Sequence, residues 1–171
     1  MFRTKKQPYM KATYFHGLES KQGGPKVDFL KELFDDVYAP SLNYFENPQI
    51  FQDVLESSKD SALIVGSSMG GWLAYHVATH IGCDTVLFNP AVHSRPVNPF
   101  VEIGSRKNTN YVVLGARDDV IDPHESQYWL AKNGFGDFVI DWYDGGHRVP
   151  LEVFQHFIQM RVASATEERK V

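Results

Sequence analysis

Short apolar runs alternate with longer amphipathic stretches along most of this chain. Residues 12–15 are a β-prone run that stops at His16-Gly17. Residues 25–34 then place Val27, Leu30, Leu33 and Phe34 on one helical face behind a proline start. Residues 37–39 read as a second strand ended by Pro40, and 48–57 as a second helix gathering Ile50, Phe51, Val54 and Leu55. The run 62–66 is apolar without interruption, the mark of a strand buried on both faces. From about Met69 to Ile81 the period becomes helical, with Gly70, Leu73, Ala74, Val77, Ala78 and Ile81 along one stripe. Further strands are expected at 85–88, 111–114 and 138–142, and further helices at 123–132 and 149–162.

Strands and helices that take turns in this way predict an α/β fold: about six mostly parallel strands in the order 2-1-3-4-5-6, with helices on both faces. In such sheets chemistry gathers beyond the carboxyl ends of the strands. The residues just past those ends are His16-Gly17, Ser68, Gly115-Ala116-Arg117-Asp118 and Asp144-Gly145-Gly146-His147. No repeat, low-complexity tract or linker divides the chain, so residues 1–171 are expected to form one domain with 1–10 and 165–171 as flexible ends.

Composition narrows the function classes. A chain of 171 residues with 43% hydrophobic and 22% charged residues can bury a full core. Its net charge of −4, with scattered basic residues, gives no nucleic-acid surface. The single cysteine, Cys83, rules out an intrachain disulfide framework and reads as a small buried thiol. With no signal-like or membrane-length apolar stretch, a cytoplasmic protein without membrane or nucleic-acid partners is expected.

Gly66-Ser67-Ser68-Met69-Gly70 fits the Gly-x-Ser-x-Gly nucleophile elbow, a sharp strand-to-helix turn with serine at its tip. A serine hydroxyl needs a base to take its proton, and His147 between strand six and the last helix is the candidate. Asp118 would orient that imidazole; Asp119, Asp122 and Asp144 compete, Asp122-Pro123 reading as a helix cap, Asp119 as facing away and Asp144 as the best rival. Backbone N–H groups of Leu18 and Met69 would form the oxyanion hole. His16, Val97, Phe100 and Val101, with Pro99, are expected to line the substrate pocket, since the connection 89–110 is the one insertion available to cover it. His76 and His80, four apart on a helix but outside its apolar stripe, read as surface residues rather than a metal pair.

Several motifs then occur in one order: Tyr14-Phe15-His16-Gly17-Leu18-Glu19-Ser20 with Lys26, Gly66-Ser67-Ser68-Met69-Gly70-Gly71, Phe88-Asn89-Pro90-Ala91-Val92, Gly115-x-x-Asp118-Asp119-Val120 and Gly145-Gly146-His147-Arg148. Together they resemble the YqiA-like esterase family of small bacterial α/β-hydrolases, from the first strand to the last helix. The paired serines and Asn89-Pro90-Ala91 make the resemblance more specific than the fold. It implies a compact α/β-hydrolase fold with no large lid domain, and cofactor-free, metal-free cleavage of short acyl groups by nucleophile Ser68, acid Asp118 and base His147. Glu19 in the oxyanion loop would disfavour anionic substrates. The expected activity is that of a serine carboxylesterase on small short- to medium-chain acyl esters. A thioesterase with the same three residues, or a non-catalytic binding protein of this fold, is the alternative.

Overall fold

The computed structural model of the chain describes residues 10–168. Its elements run β1 (Lys11–Phe15), α1 (Pro25–Leu33), β2 (Asp36–Tyr38), α2 (Ile50–Ser58), β3 (Ser61–Ser67), α3 (Met69–Ile81), β4 (Thr85–Phe88), β5 (Thr109–Gly115), α4 (Pro123–Asn133), β6 (Asp137–Tyr143) and α5 (Leu151–Glu168). The strands form one sheet in the order β2-β1-β3-β4-β5-β6 with every pairing parallel, an α/β-hydrolase arrangement.

Alternation along each strand divides the core into two layers. Phe15, Ile64, Leu87, Val112 and Leu114 point to the side covered by α2, α3 and α4, where Phe51, Trp72, Leu73 and Leu130 pack. Tyr14, Leu63, Val65, Val86, Phe88 and Val113 point to the opposite side, beneath Val27 and Leu30 of α1 and Phe154 and Ile158 of α5. Phe154 anchors that second layer: it stacks on Phe88 at 5.0 Å and meets Tyr14 and Phe29 edge-on.

Two boundaries differ instructively from the sequence pattern. β5 starts two residues early, at Thr109, because its polar Asn110 is buried and satisfied, its Oδ1 accepting from Thr85 Oγ1 at 2.8 Å and Asn108 Nδ2 at 3.0 Å. α5 continues past the expected helix end at 162 and through Glu168, into the C-terminal end 165–171. The rest of that end, and residues 1–9, lie outside the described residues. Cys83 is buried as expected; its thiol faces Ser61 O, and burial pushes it up to about 12. Among the described residues no helix is long and apolar enough to cross a membrane.

From the connection between β4 and β5, Ala91, Ser94 and Pro96 line the space beyond the sheet's carboxyl edge. Beyond them it wraps the C-terminal end of α3. Arg106 N donates to Thr79 O at 2.8 Å, His80 Nε2 hydrogen-bonds Glu102 O at 3.1 Å, and Gly104 lies so close that a Cβ would sit 2.3 Å from Thr79 C. His76 departs from its expected surface position. It is half-buried against the rings of Trp72 and Tyr75, with centroids 5.2 and 5.0 Å away. Among the described residues no group of His, Cys, Asp and Glu is placed to hold a metal ion.

Candidate active site

Ser68 caps the junction of β3 and α3 with φ 54 and ψ −118, a conformation a non-glycine residue keeps only when its surroundings enforce it. They do so here through the backbone. Ser68 N donates to Phe88 O at 2.9 Å, while Ser68 O accepts from Trp72 N at 3.1 Å and Ala91 N at 3.0 Å. The two glycines of the pentapeptide permit the approach: a Cβ on Gly66 would lie 2.2 Å from Gly70 O, and one on Gly70 only 1.9 Å from Phe15 O. Helix α3 can therefore start directly against β1, with the serine hydroxyl beyond the sheet edge.

His147 Nε2 lies 3.1 Å from Ser68 Oγ, and its Nδ1 lies 2.8 Å from Asp118 Oδ2. With the Nδ1 proton donated to the carboxylate, the Nε2 lone pair faces the serine hydroxyl. Asp118 is buried, and its other oxygen accepts from Val120 N and Ile121 N, both at 2.9 Å, so a buried charge there is well solvated by the protein. The competing acids are otherwise occupied. Asp122 caps α4 through His124 N and Glu125 N, bonds that hold its carboxyl below the usual range. Asp144 is exposed and pairs with Arg117 at 3.1 Å. Asp119, expected to face away, instead borders the cavity described next.

Ser68 and His147 open on a cavity of about 710 Å3. Leu18, Ala91, Pro96, Ile121 and Val149 give it apolar walls, and Tyr14, Lys26 and Ser67 a polar one. Leu18 and Met69 both border it, and a Cβ on Gly17 would be 3.4 Å from Ser68 Cβ, so the loop after β1 runs directly past the serine.

The remaining pocket residues expected from sequence lie elsewhere. His16 is buried and spends both ring nitrogens on backbone: Nδ1 on Gly17 O at 2.7 Å, and Nε2 accepting from Leu42 N at 3.0 Å. It fastens the loop after β1 to residues 42–44 instead of facing substrate, helped by Tyr44, whose hydroxyl donates to His16 O. Val97 and Val101 pack on the α3 side of the core and Phe100 is exposed, because the connection carrying them turns away around α3.

One residue at the site received no role from its sequence position. Asn89, at the end of β4, is buried with φ 43. Its Nδ2 donates to Tyr143 Oη and His147 O, each at 2.9 Å, and at 3.4 Å to Gly146 O; its Oδ1 accepts from Gly115 N at 2.7 Å. It thereby joins the strand end that supports Ser68 to the loops carrying Asp118 and His147. The available signal was a polar residue at a strand end before proline, a type that tolerates positive φ.

A family model described as "Uncharacterised protein family (UPF0227)" matches residues 11–112. Comparison with curated proteins gives no match. Among solved structures, the chain is similar to alpha/beta hydrolase domain-containing protein 10 from mouse, with TM-score 0.66 and 17% identity over 95% of this chain and 91% of that one. It is also similar to a monoacylglycerol lipase from Paleococcus ferrophilus, with TM-score 0.65 and 15% identity over 90% and 94% of the two chains. A third similar structure is Est1E from Butyrivibrio proteoclasticus, with TM-score 0.62 and 13% identity over 93% and 90%. At these identities the likeness is one of fold.

Proposed function

The chain belongs to UPF0227, the YqiA-like family whose motifs it carries, and from that premise we propose that it is a serine carboxylesterase acting on small short- to medium-chain acyl esters. The observation that carries this reading is His147, within hydrogen-bond reach of both Ser68 Oγ and Asp118 Oδ2 beside an open cavity.

In the proposed reaction Ser68 Oγ attacks the acyl carbon while His147 Nε2 takes its proton. The ester carbonyl oxygen becomes an oxyanion, met by the backbone N–H groups of Leu18 and Met69; one such donor is worth about 10²–10³ in rate. Asp118 holds the imidazole in its tautomer and stabilises the imidazolium. The carbon–oxygen bond to the alcohol then breaks, and His147 returns the proton to the departing oxygen. Water, deprotonated by the same nitrogen, attacks the acyl-serine; the acid leaves and Ser68 recovers its proton.

The test is hydrolysis of 4-nitrophenyl butyrate by the wild type and Ser68→Ala, with fluorophosphonate labelling followed by mass. The wild type should take up one label, and the variant should neither label nor retain more than about a thousandth of the rate. A folded wild type that neither labels nor turns over this ester and its thioester would favour the non-catalytic binding protein.

A further inference from the structure

The mechanism leaves unused a cation in the wall of its own cavity. Lys26 stands in the first turn of α1, half-buried, and borders the space onto which Ser68 opens. Its ammonium lies 5.4 Å from the centre of the Phe154 ring, and it has no hydrogen bond or ion pair among the described residues. Desolvation on this wall holds the ammonium below the ordinary lysine range. A partly desolvated cation facing only a ring is incompletely compensated.

The same cavity holds a second uncompensated group. Ser67 Oγ is buried and has no hydrogen-bond partner. The Tyr14 hydroxyl is near enough for Ser67 to offset part of the upward push that burial gives its phenol, but the two oxygens do not meet at bonding geometry. Both residues border the cavity with Lys26; the Tyr14 hydroxyl can donate to a ligand there, whereas the Ser67 oxygen lies just beneath the surface.

The other charges at the mouth do not cancel this one. Glu19 and Arg148 face each other at 4.0 Å and are almost fully exposed, and Asp119 is exposed as well. Water and salt screen charges so placed, whereas Lys26 acts from a wall that excludes much of the water. The expectation that Glu19 would repel anions weakens for the same reason: its carboxylate lies on the rim beside an arginine.

We propose that Lys26 and Tyr14 form a subsite for anionic oxygens, a carboxylate or a phosphate carried by the substrate whose acyl group Ser68 attacks. The assignment rests on the reading of Ser68 as nucleophile and narrows it to charged esters or thioesters. The ammonium supplies the charge-assisted contact, and the Tyr14 hydroxyl a neutral donor beside it.

Equilibrium binding tests the subsite without turnover. Ser68→Ala is titrated calorimetrically with mono-4-nitrophenyl glutarate and with the neutral 4-nitrophenyl pentanoate; phenyl phosphate against phenol forms a separate phosphate arm. The charged member of at least one pair should bind about tenfold more tightly or better, and the responding pair identifies carboxylate or phosphate as the source. Adding Lys26→Met should remove that preference, while Lys26→Arg should keep most of it. Equal binding of charged and neutral members in both pairs overturns the subsite whether or not a Lys26 variant folds. So does a preference that survives Lys26→Met. Failure of the esterase reading is separately visible, as wild type that turns over neither ester while the binding comparison gives its own answer.

Discussion

Asn89 shows how one amide side chain can govern three loops. It touches the backbone at Gly115 and His147 and the phenol of Tyr143, while its own strand end accepts from Ser68 N through Phe88 O. Removing it should disturb alignment more than binding, since none of these contacts is with the cavity's apolar walls. Asn89→Ala is expected to lower kcat by about ten- to a hundredfold with KM within about threefold, because small misplacements of a general base cost rate steeply. Asn89→Asp should not rescue the rate: it keeps an acceptor for Gly115 N but turns a second acceptor toward the carbonyl of His147. The check is kcat and KM per fluorophosphonate-titrated site, so that loss of folded protein is not counted as loss of rate; equal kcat in all three proteins would refute the positioning role. The positions of Ser68, Asp118 and His147 were legible in the sequence because each follows a strand of one parallel sheet, and that geometry makes strand ends converge. Asn89 was not, because its role exists only where three distant loops meet. His16 was misread for a related reason: its place after a strand was visible, but the partners of its ring were not.

At the level of elements, α3 exposes a limit of periodicity. Its apolar stripe correctly marks the side facing the sheet, yet Trp72, Tyr75 and Thr79, off that stripe, are buried too. The cause is the connection after β4, which wraps the helix from outside, so that His76 shares its surroundings with Trp72, Tyr75 and the nearby Arg95. Desolvation, then the charges of Arg95 and His80, lower the His76 imidazole to about 4. The native state thus holds His76 neutral where the unfolded chain, titrating near the ordinary 6.5, takes up a proton. Its contribution to stability is complete above pH 6.5 and is lost as the pH falls toward 4. Between pH 7.5 and 5 that loss is about 2 kcal/mol. Urea unfolding at those two values should therefore show a decline about 2 kcal/mol smaller in His76→Gln than in the wild type. Identical declines would mean that His76 is solvated in the native protein.

Over the whole molecule, the alternation of strands and helices was enough to order the sheet, because parallel strands need crossover helices and those crossovers keep one hand. It did not tell where the connection between β4 and β5 would lie. Nothing in Val97, Phe100 or Val101 encodes whether the segment covers the sheet edge or encircles a helix; that is decided by close packing at Gly104 against Thr79 and by the bond from Arg106 N. The outcome bears on substrate length. With that segment held around α3, no insertion among the described residues roofs the cavity, whose apolar walls reach the surface at the exposed Val120. A methylene buried against such a wall gains about 0.8 kcal/mol, close to fourfold in affinity, and one beyond the rim gains almost nothing. Across neutral 4-nitrophenyl esters from acetate to palmitate, KM should fall about fourfold per added methylene at first and then level off near eight carbons. Palmitate should then show no advantage over octanoate in kcat/KM, measured below the concentration at which either ester aggregates. A KM that kept falling through palmitate would require a continuous apolar channel, and the open cleft formed by the loops after β1, β3, β4, β5 and β6 does not provide one.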